Sequence, residues 1–176
     1  MEPKVIFETD RLVVRDWAVG DGDRVFDIYR RWEVSRWLGA DPKVMAHRDA
    51  ATRVIERWNE RNQDPVYGVW AVEERATGTI AGTVMLVPLP DPSDGTESKG
   101  EIEIGWHFHP DAWGRGLATE AARGAIAHGF RAGLPEIYAV VRPDNSASLA
   151  VCRRLGMRAL GRTNRWYGTE LECFVI

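Results

Sequence analysis

The sequence predicts a mixed α/β fold in which a central, mostly antiparallel twisted sheet carries helices on both faces. Two observations predict it. Short runs rich in β-branched residues recur from Val5 to Ile176, and four stretches between them have helical length and spacing. Both kinds of element need an apolar partner, and a sheet covered by helices satisfies them together. No repeat or domain linker interrupts the alternation, so residues 1–176 are read as one domain.

The elements follow in order. Val5 to Phe7 is extended, and Arg11-Leu-Val-Val-Arg15 gives the first long strand. From Asp21 to Trp37 the residues Val25, Ile28, Tyr29 and Trp32 fall at i, i+3, i+4 and i+7, which lines one face of a helix. His47 to Asn62 is a second helix, with Val54, Ile55 and Trp58 on one side. Tyr67 to Val72 and Thr79 to Val87 are strands joined by a hairpin turn, Glu73-Glu-Arg-Ala-Thr-Gly78. Pro88 to Gly100 is polar and rich in Pro and Gly, which predicts a mobile loop. Glu101 to Phe108 is a strand, Leu117 to Ala132 a helix, Ile137 to Val141 a strand and Ser146 to Leu155 a helix. Arg158–Gly161 and Glu170–Ile176 close the chain as strands. Ala118, Ala122, Ala125 and Gly129 recur at about one-turn spacing, a face of small residues that lets their helix lie close to the sheet.

Bulk properties exclude several classes of function. A net charge of −3 argues against nucleic acid as the main partner, which favours a basic face, and is compatible with a cationic, amine-bearing acceptor. Cys152 and Cys173 are too few for a disulfide framework. No apolar run approaches the ~20 residues needed to cross a bilayer, so no membrane partner is expected. The residues from Glu2 onward lack a signal-peptide core, and a reduced cytoplasm is the expected setting. The oligomeric state is open, a homodimer included.

Chemistry concentrates between Glu103 and Ala122. The segment reads as a strand, a turn punctuated by Pro110, Gly114 and Gly116, and the first turn of a helix. Backbone amides at a helix start have no intrahelical acceptor and sit at the positive end of the helix dipole, which suits phosphate. A nucleotide P-loop is excluded, because the chain's only lysines are Lys4, Lys43 and Lys99. A dinucleotide fingerprint wants a third glycine near position 119, where Thr119 stands. On the glycines alone, a phosphate site and a tight connection that binds nothing are equally open.

The segment Trp113-Gly-Arg-Gly116-Leu-Ala118 resembles the acetyl-CoA-binding motif of the GNAT superfamily of N-acetyltransferases, Gln/Arg-x-x-Gly-x-Gly/Ala, with Trp113 in the first position. Trp-Gly-x-Gly-x-Ala-x-Glu-Ala, together with Thr9-Asp-Arg-Leu-Val-Val-Arg15 and Asn145-Ser-Ala-Ser148-Leu-Ala-Val-Cys-Arg-Arg-Leu155-Gly-Met157, resembles the branch holding the ribosomal-protein N-terminal acetyltransferases, RimJ/RimL-like enzymes. The resemblance implies a GNAT fold and acetyl-CoA as cosubstrate. Its coenzyme contacts would be Trp106, His107 and Phe108 at the strand end, then Trp113, Gly114, Arg115 and Gly116 in the turn. Leu117, Ala118 and Thr119 at the helix start would follow, with Asn145 and Ser148 against the pantetheine arm. Arg115 would neutralise a phosphate, or it is simply an exposed turn arginine. Asn145 is equally able to cap the helix that it precedes. Glu120, in the first turn, suits the helix dipole and reads as structural.

The catalytic reading follows the same resemblance. Glu103 matches the family strand glutamate that acts as base, often through a water, with His107 second. Glu101, Glu103 and His107 share one face of a regular strand, and a bulge there, usual in the family, would break that parity. Cys152 stands where many family members carry a tyrosine that protonates the departing thiolate. A thiol with pKa near ~8.5 has that capacity, while its bland role is a small buried hydrophobe. His107-x-His109 lacks a third ligand, so no metal is expected. Of eight tryptophans, Trp32 and Trp37, with Trp166 and Tyr167 near the C-terminus, lie where the family forms its acceptor cleft, although ordinary helix packing accounts for Trp32 and Trp58.

The expected activity is N-acetyl transfer to a primary amine, a protein N-terminus or a small amine, by direct attack in a ternary complex. Two alternatives stay open: a non-catalytic acyl-CoA-binding sensor or interaction module, and a transferase using another donor such as succinyl-CoA.

Overall fold

The computed structural model describes residues 2–91 and 97–176. Its strands are β1 (Val5–Glu8), β2 (Leu12–Arg15), β3 (Gly68–Glu74), β4 (Ile80–Pro90), β5 (Glu97–Phe108), β6 (Tyr138–Val141), β7 (Arg158–Thr163) and β8 (Leu171–Val175). They form one sheet in the order β1-β2-β3-β4-β5-β6-β8-β7. Neighbours are antiparallel except β5 and β6, whose parallel ladder is limited to Glu103 opposite Tyr138. A parallel pair requires a crossover, and helix α4 (Leu117–Arg131) supplies it. The other helices are α1 (Gly22–Tyr29), α2 (Trp32–Ser35), α3 (Asp49–Arg61) and α5 (Ser146–Arg154).

Helices cover both faces of the sheet. Leu117, Ala122, Ala125 and Ile126 of α4 and Val151 of α5 pack on Leu86, Ile102 and Ile104 of β4 and β5. On the opposite face, Val25 and Ile28 of α1 and Ala51 and Ile55 of α3 gather around Trp17 and Ala71. The small face of α4 is buried at Ala122, Ala125 and Gly129. A Cβ on Gly129 would come within 3.0 Å of both Ile137 Cδ1 and Leu134 Cδ1, so this end of the helix has no room for a larger residue. No helix among the described residues is long and apolar enough to cross a membrane.

The structure departs from the sequence reading in three places. The helix expected over Asp21 to Trp37 breaks at Arg31, whose backbone is extended (φ −86°, ψ 122°). In a continuous helix the Tyr29 carbonyl would accept from the amide four residues on. It accepts instead from Ser35 Oγ at 2.7 Å and from the Met45 amide at 2.8 Å. The break takes Trp32 out of the packed face, and it is 54% exposed, whereas Trp58 packs against Trp17 and Tyr29 as expected. The loop expected over Pro88 to Gly100 is largely strand, with Pro88 opposite Ile102 and Pro90 opposite Glu97. Pairing of β4 with β3 ends at Leu86, so both prolines fall where β4 has lost one neighbour and a missing N–H costs no ladder bond on that side. Residues 92–96 of that expected loop lie outside the described residues. Finally, the strand expected over Arg158–Gly161 continues to Thr163, paired with Leu171.

Candidate active site

Beyond the Glu103–Tyr138 pair, β5 and β6 are no longer laddered, and two cavities meet there. The inner one, about 280 Å³, lies between Glu103–His107 of β5 and the end of β6, and is closed by Trp37, Gly39 and Tyr167. The outer one, about 1330 Å³, runs past the start of α4 and over α5. Trp37, Leu38, Trp106, His107, Asn145 and Ser148 line both, which makes them one passage.

The outer end is built by the glycine turn. Gly114 and Gly116 have φ of 71° and 76°, a left-handed backbone that costs other residues ~1–2 kcal/mol. Gly116 is the N-cap of α4 and has no side chain to cap the first amides of that helix. A clip from the N-terminal segment holds the turn. Thr9 Oγ1 donates to Glu120 Oε1 at 2.6 Å, Arg11 Nε to Glu120 Oε2 at 2.6 Å, and an Arg11 terminal nitrogen to the Arg115 carbonyl at 2.9 Å. Partial burial works against ionisation of Glu120, yet the bonds from Thr9 and Arg11 hold its carboxyl below the ordinary range. Thr119 Oγ1, one turn into the helix, is buried, has no partner among the described residues and belongs to a residue lining the outer cavity. An orphan hydroxyl beside uncapped helix amides fits a phosphate-bearing ligand, whose oxygens would satisfy both.

Arg115 does not join this cleft. It lines neither cavity, and its guanidinium pairs through two nitrogens with the Glu74 carboxylate at the end of β3. The carboxylate is already in reach, so the turn arginine is turned away from the expected phosphate position. Arg11, Arg123 and Arg154 line the outer cavity instead. Arg123 was legible in principle, since it lies two turns beyond Gly116 on the same helix face. Arg11 and Arg154 arrive from distant elements.

At the inner end, Glu103 is only 6% exposed, and its Oε2 accepts from the Tyr167 hydroxyl at 2.5 Å. Burial pushes the Glu103 carboxyl up to about 7, and the hydrogen bond from Tyr167 works in the opposite direction. Burial also raises the Tyr167 phenol, so it stays a donor. Tyr167 is the one non-glycine residue among those described with positive φ, 59°. Such strain persists where surroundings over-determine it, commonly at functional sites. Glu101 is engaged by Arg165 at 2.5 Å.

From Ile102 to Phe108 the register of β5 with β4 is unbroken, so Glu103 and His107 keep the same face. They are four residues apart, ~13 Å along the strand, too far for a direct dyad. His107 Nδ1 lies 3.1 Å from the Tyr29 hydroxyl, which is 2.8 Å from Thr83 Oγ1. Burial pushes the imidazole down to about 4, so His107 is neutral at physiological pH.

Cys152 is not brought to the site. It is fully buried in the core between α5 and the sheet and lines neither cavity. Burial pushes its thiol up to about 12. Ser148, one turn earlier, lines the passage, and by Cys152 the same helix has turned into the core. Asn145 both caps α5, its Oδ1 accepting from the Ser148 amide at 3.2 Å, and lines the passage. Trp113 Nε1 donates to the Phe108 carbonyl at 2.8 Å, tying the turn to the end of β5, and both residues line the outer cavity with Gly114, Leu117 and Ala118. His109 faces Asp27, 3.0 Å from its Nε2. Among the described residues no three His, Cys, Asp or Glu side chains come together that could hold a metal ion.

A helix-start glycine turn, a parallel pair parted beyond one rung and a buried carboxyl at the fork together make a cleft suited to a phosphate-bearing ligand at one end and to proton transfer at the other. Residues 11–158 match the acetyltransferase (GNAT) domain model, and the chain belongs to that family of enzymes, whose reaction is acetyl transfer from acetyl-CoA. The uncharacterized N-acetyltransferase YoaA of Bacillus subtilis (strain 168) is 30% identical over 157 residues, 89% of this chain and 84% of its own. A putative ribosomal-protein-serine acetyltransferase from Vibrio cholerae shares the fold with a TM-score of 0.78 at 20% identity, over 100% of this chain and 99% of that one. RimL, a ribosomal L7/L12 alpha-N-protein acetyltransferase solved with coenzyme A, superposes with a TM-score of 0.78 at 14% identity, over 98% and 97%.

Proposed function

We propose that this enzyme transfers an acetyl group from acetyl-CoA to a primary amine within a ternary complex, with Glu103 as the base. The observation that carries the reading is the buried Glu103 carboxyl at the fork, pushed up to about 7 and therefore able to exchange a proton near neutrality. The solved RimL complex with coenzyme A supports the choice of ligand.

The start of α4, with Thr119 beside it and Arg11, Arg123 and Arg154 around the outer cavity, suits the phosphates. The passage lined by Asn145 and Ser148 suits the pantetheine arm and delivers a thioester to the fork. An amine arrives as an ammonium and must lose a proton before it can attack, and Glu103 takes that proton directly or through a water. The nitrogen lone pair then forms the C–N bond, the nitrogen gives up its second proton to water, and the C–S bond breaks, leaving a thiolate that takes a proton back from water. His107 stays neutral and positions rather than titrates. Holding the two reactants at the fork supplies much of the rate, and the base adds ~10²–10⁴-fold.

Free-thiol release from acetyl-CoA in the presence of an amine panel tests this. Amine-dependent release is expected, reduced ~10²–10⁴-fold by Glu103→Gln with coenzyme affinity retained. Tight coenzyme binding without thiol release from any amine would leave a binding module in place of a transferase.

A further inference from the structure

Just past β6, Arg142 enters the inner cavity, on whose wall the described residues place one carboxylate, Glu103, and one cation, Arg142. It is absent from the lining of the outer cavity, so its place is away from the end that suits the phosphates. One terminal guanidinium nitrogen donates to the Gly39 carbonyl at 2.6 Å, while its Nε is buried with no partner among the described residues. No carboxylate among the described residues pairs with it, in a chain where many of the other arginines do have one. A buried arginine Nε–H left unsatisfied is costly, and a planar fork of donors matches a carboxylate in two-point geometry.

The strand pattern places this group on the acceptor side. Ala139 and Val141 of β6 pack into the core beneath α4 and α5, whereas Tyr138 and Val140 face the opposite side. Arg142 continues that second side, which is also where Tyr167 reaches Glu103 and where the Gly39 segment closes the cavity.

We propose that Arg142 reads a carboxylate on the amine acceptor, so that the substrate is a small amino acid-like molecule whose amine meets Glu103 and whose carboxylate meets Arg142. This rests on the N-acetyl transfer proposed above. A cavity of about 280 Å³ that must also admit the thioester suits an acceptor of that size. The Gly39 bond holds the guanidinium at the cavity wall, where its planar fork of donors meets a carboxylate.

Thiol-release kinetics with amino acids of differing amine-to-carboxylate spacing (glycine, β-alanine, 4-aminobutyrate and the common α-amino acids), each beside its carboxamide, test the proposal. The carboxamide of an α-amino acid gives up its ammonium proton more readily, so preference for the acid is the harder result to obtain. For at least one spacing, the wild type is expected to prefer the acid over its amide by ~10–100-fold in kcat/KM, mostly through KM. Arg142→Ala should bring that ratio to one or below, the loss falling on the acid rather than on the amide, and Arg142→Lys should restore part of it. Equal effects of Arg142→Ala on acid and amide would overturn the proposal and leave Arg142 as a latch on the Gly39 segment. Preference for succinyl-CoA over acetyl-CoA with a neutral amine, lost in Arg142→Ala, would also overturn it, by moving the carboxylate to the donor. If no amine is turned over, N-acetyl transfer itself fails. Calorimetry of the N-acetylated acids in the presence of coenzyme A then decides the carboxylate site separately, binding lost in Arg142→Ala supporting it and absence of binding to wild type ending it.

Discussion

The Tyr167 hydroxyl donates to Glu103 Oε2 at 2.5 Å, joining residues 64 positions apart at the fork between β5 and β6. The contact sets opposing influences on one carboxyl. Burial disfavours its charge, while a donor hydrogen bond favours it, and burial is the larger.

The first consequence is a pH dependence. Glu103 acts as base only when ionised, so kcat/KM for an amine should rise with pH along a limb centred at about 7. His107, pushed down to about 4, is not able to produce that limb. In Glu103→Gln the limb should vanish and the residual rate should fall ~10²–10⁴-fold. A limb that survives in the Gln variant would assign the titration to another group.

Tyr167→Phe removes the donor without emptying the site. The ionised carboxylate loses the bond that favours it, so the limb should move to higher pH by about half to one unit. Above the limb, kcat should stay within several fold of wild type. A large loss at all pH values with an unmoved limb would make Tyr167 a group that contacts the substrate.

Glu103 also leaves a mark on stability. Its folded-state value of about 7 lies above the ordinary 4.5, so the folded chain holds the proton more tightly than the unfolded one. The stabilisation from the protonated carboxyl is therefore complete below about pH 4.5 and is lost as pH rises through about 7. Relative to Glu103→Gln, which does not titrate, the wild type should lose up to about 3 kcal/mol between those limits. Urea midpoints of both proteins across that range check it, and parallel stability curves would contradict the buried-carboxyl account.

What the sequence revealed divides along physical lines. Gly114 and Gly116 were legible because their positive φ excludes most side chains, a constraint that leaves a trace in residue type. The strands were legible from β-branched runs, and the small face of α4 from its one-turn spacing. The break at Arg31 was not, because Val25, Ile28, Tyr29 and Trp32 keep helical period through it. The bonds that end α1, from Ser35 and Met45 to the Tyr29 carbonyl, are made by residues whose types do not announce them. Adjacency in sequence makes Arg115 a candidate phosphate partner, whereas Arg11, Arg123 and Arg154 are adjacent in space. The Tyr167–Glu103 contact had no sequence trace beyond the two residue types.

Gly116→Trp tests the coenzyme end. The substitution forces a bulky residue into φ of 76° and projects an indole at the start of α4, within reach of Arg11. Acetyl-CoA titrated calorimetrically should bind the wild type and not the variant. Gly116→Ala, with nearly the same backbone strain and little bulk, separates strain from blockage: it should lower the melting temperature by a few degrees and keep measurable binding. Loss of binding in neither variant would move the phosphate site away from the turn.

Cys152 gives the sharpest contrast between the family pattern and the structure. The resemblance implies a proton donor to the leaving sulfur at this position, but the side chain is fully buried and its thiol is pushed up to about 12 by that burial. A donor must reach the atom that it protonates, and Cys152 lines neither cavity. Its contribution is packing between α5 and the sheet, with Val151 and Leu155 on either side of it in the same cluster. Cys152→Ala should therefore cost about 1–2 kcal/mol of stability through the lost sulfur contact, while kcat stays within about two-fold. Cys152→Ser puts a hydroxyl of nearly the same size in place of the thiol and so buries a more polar group in the core, which should make it the less stable of the two. If the thiol were the acid, kcat would separate the variants, with Ser retaining activity and Ala losing it. Single-turnover thiol release measured below the melting transition of both variants distinguishes the two cases, because it reads breakage of the C–S bond without the contribution of the unfolded fraction.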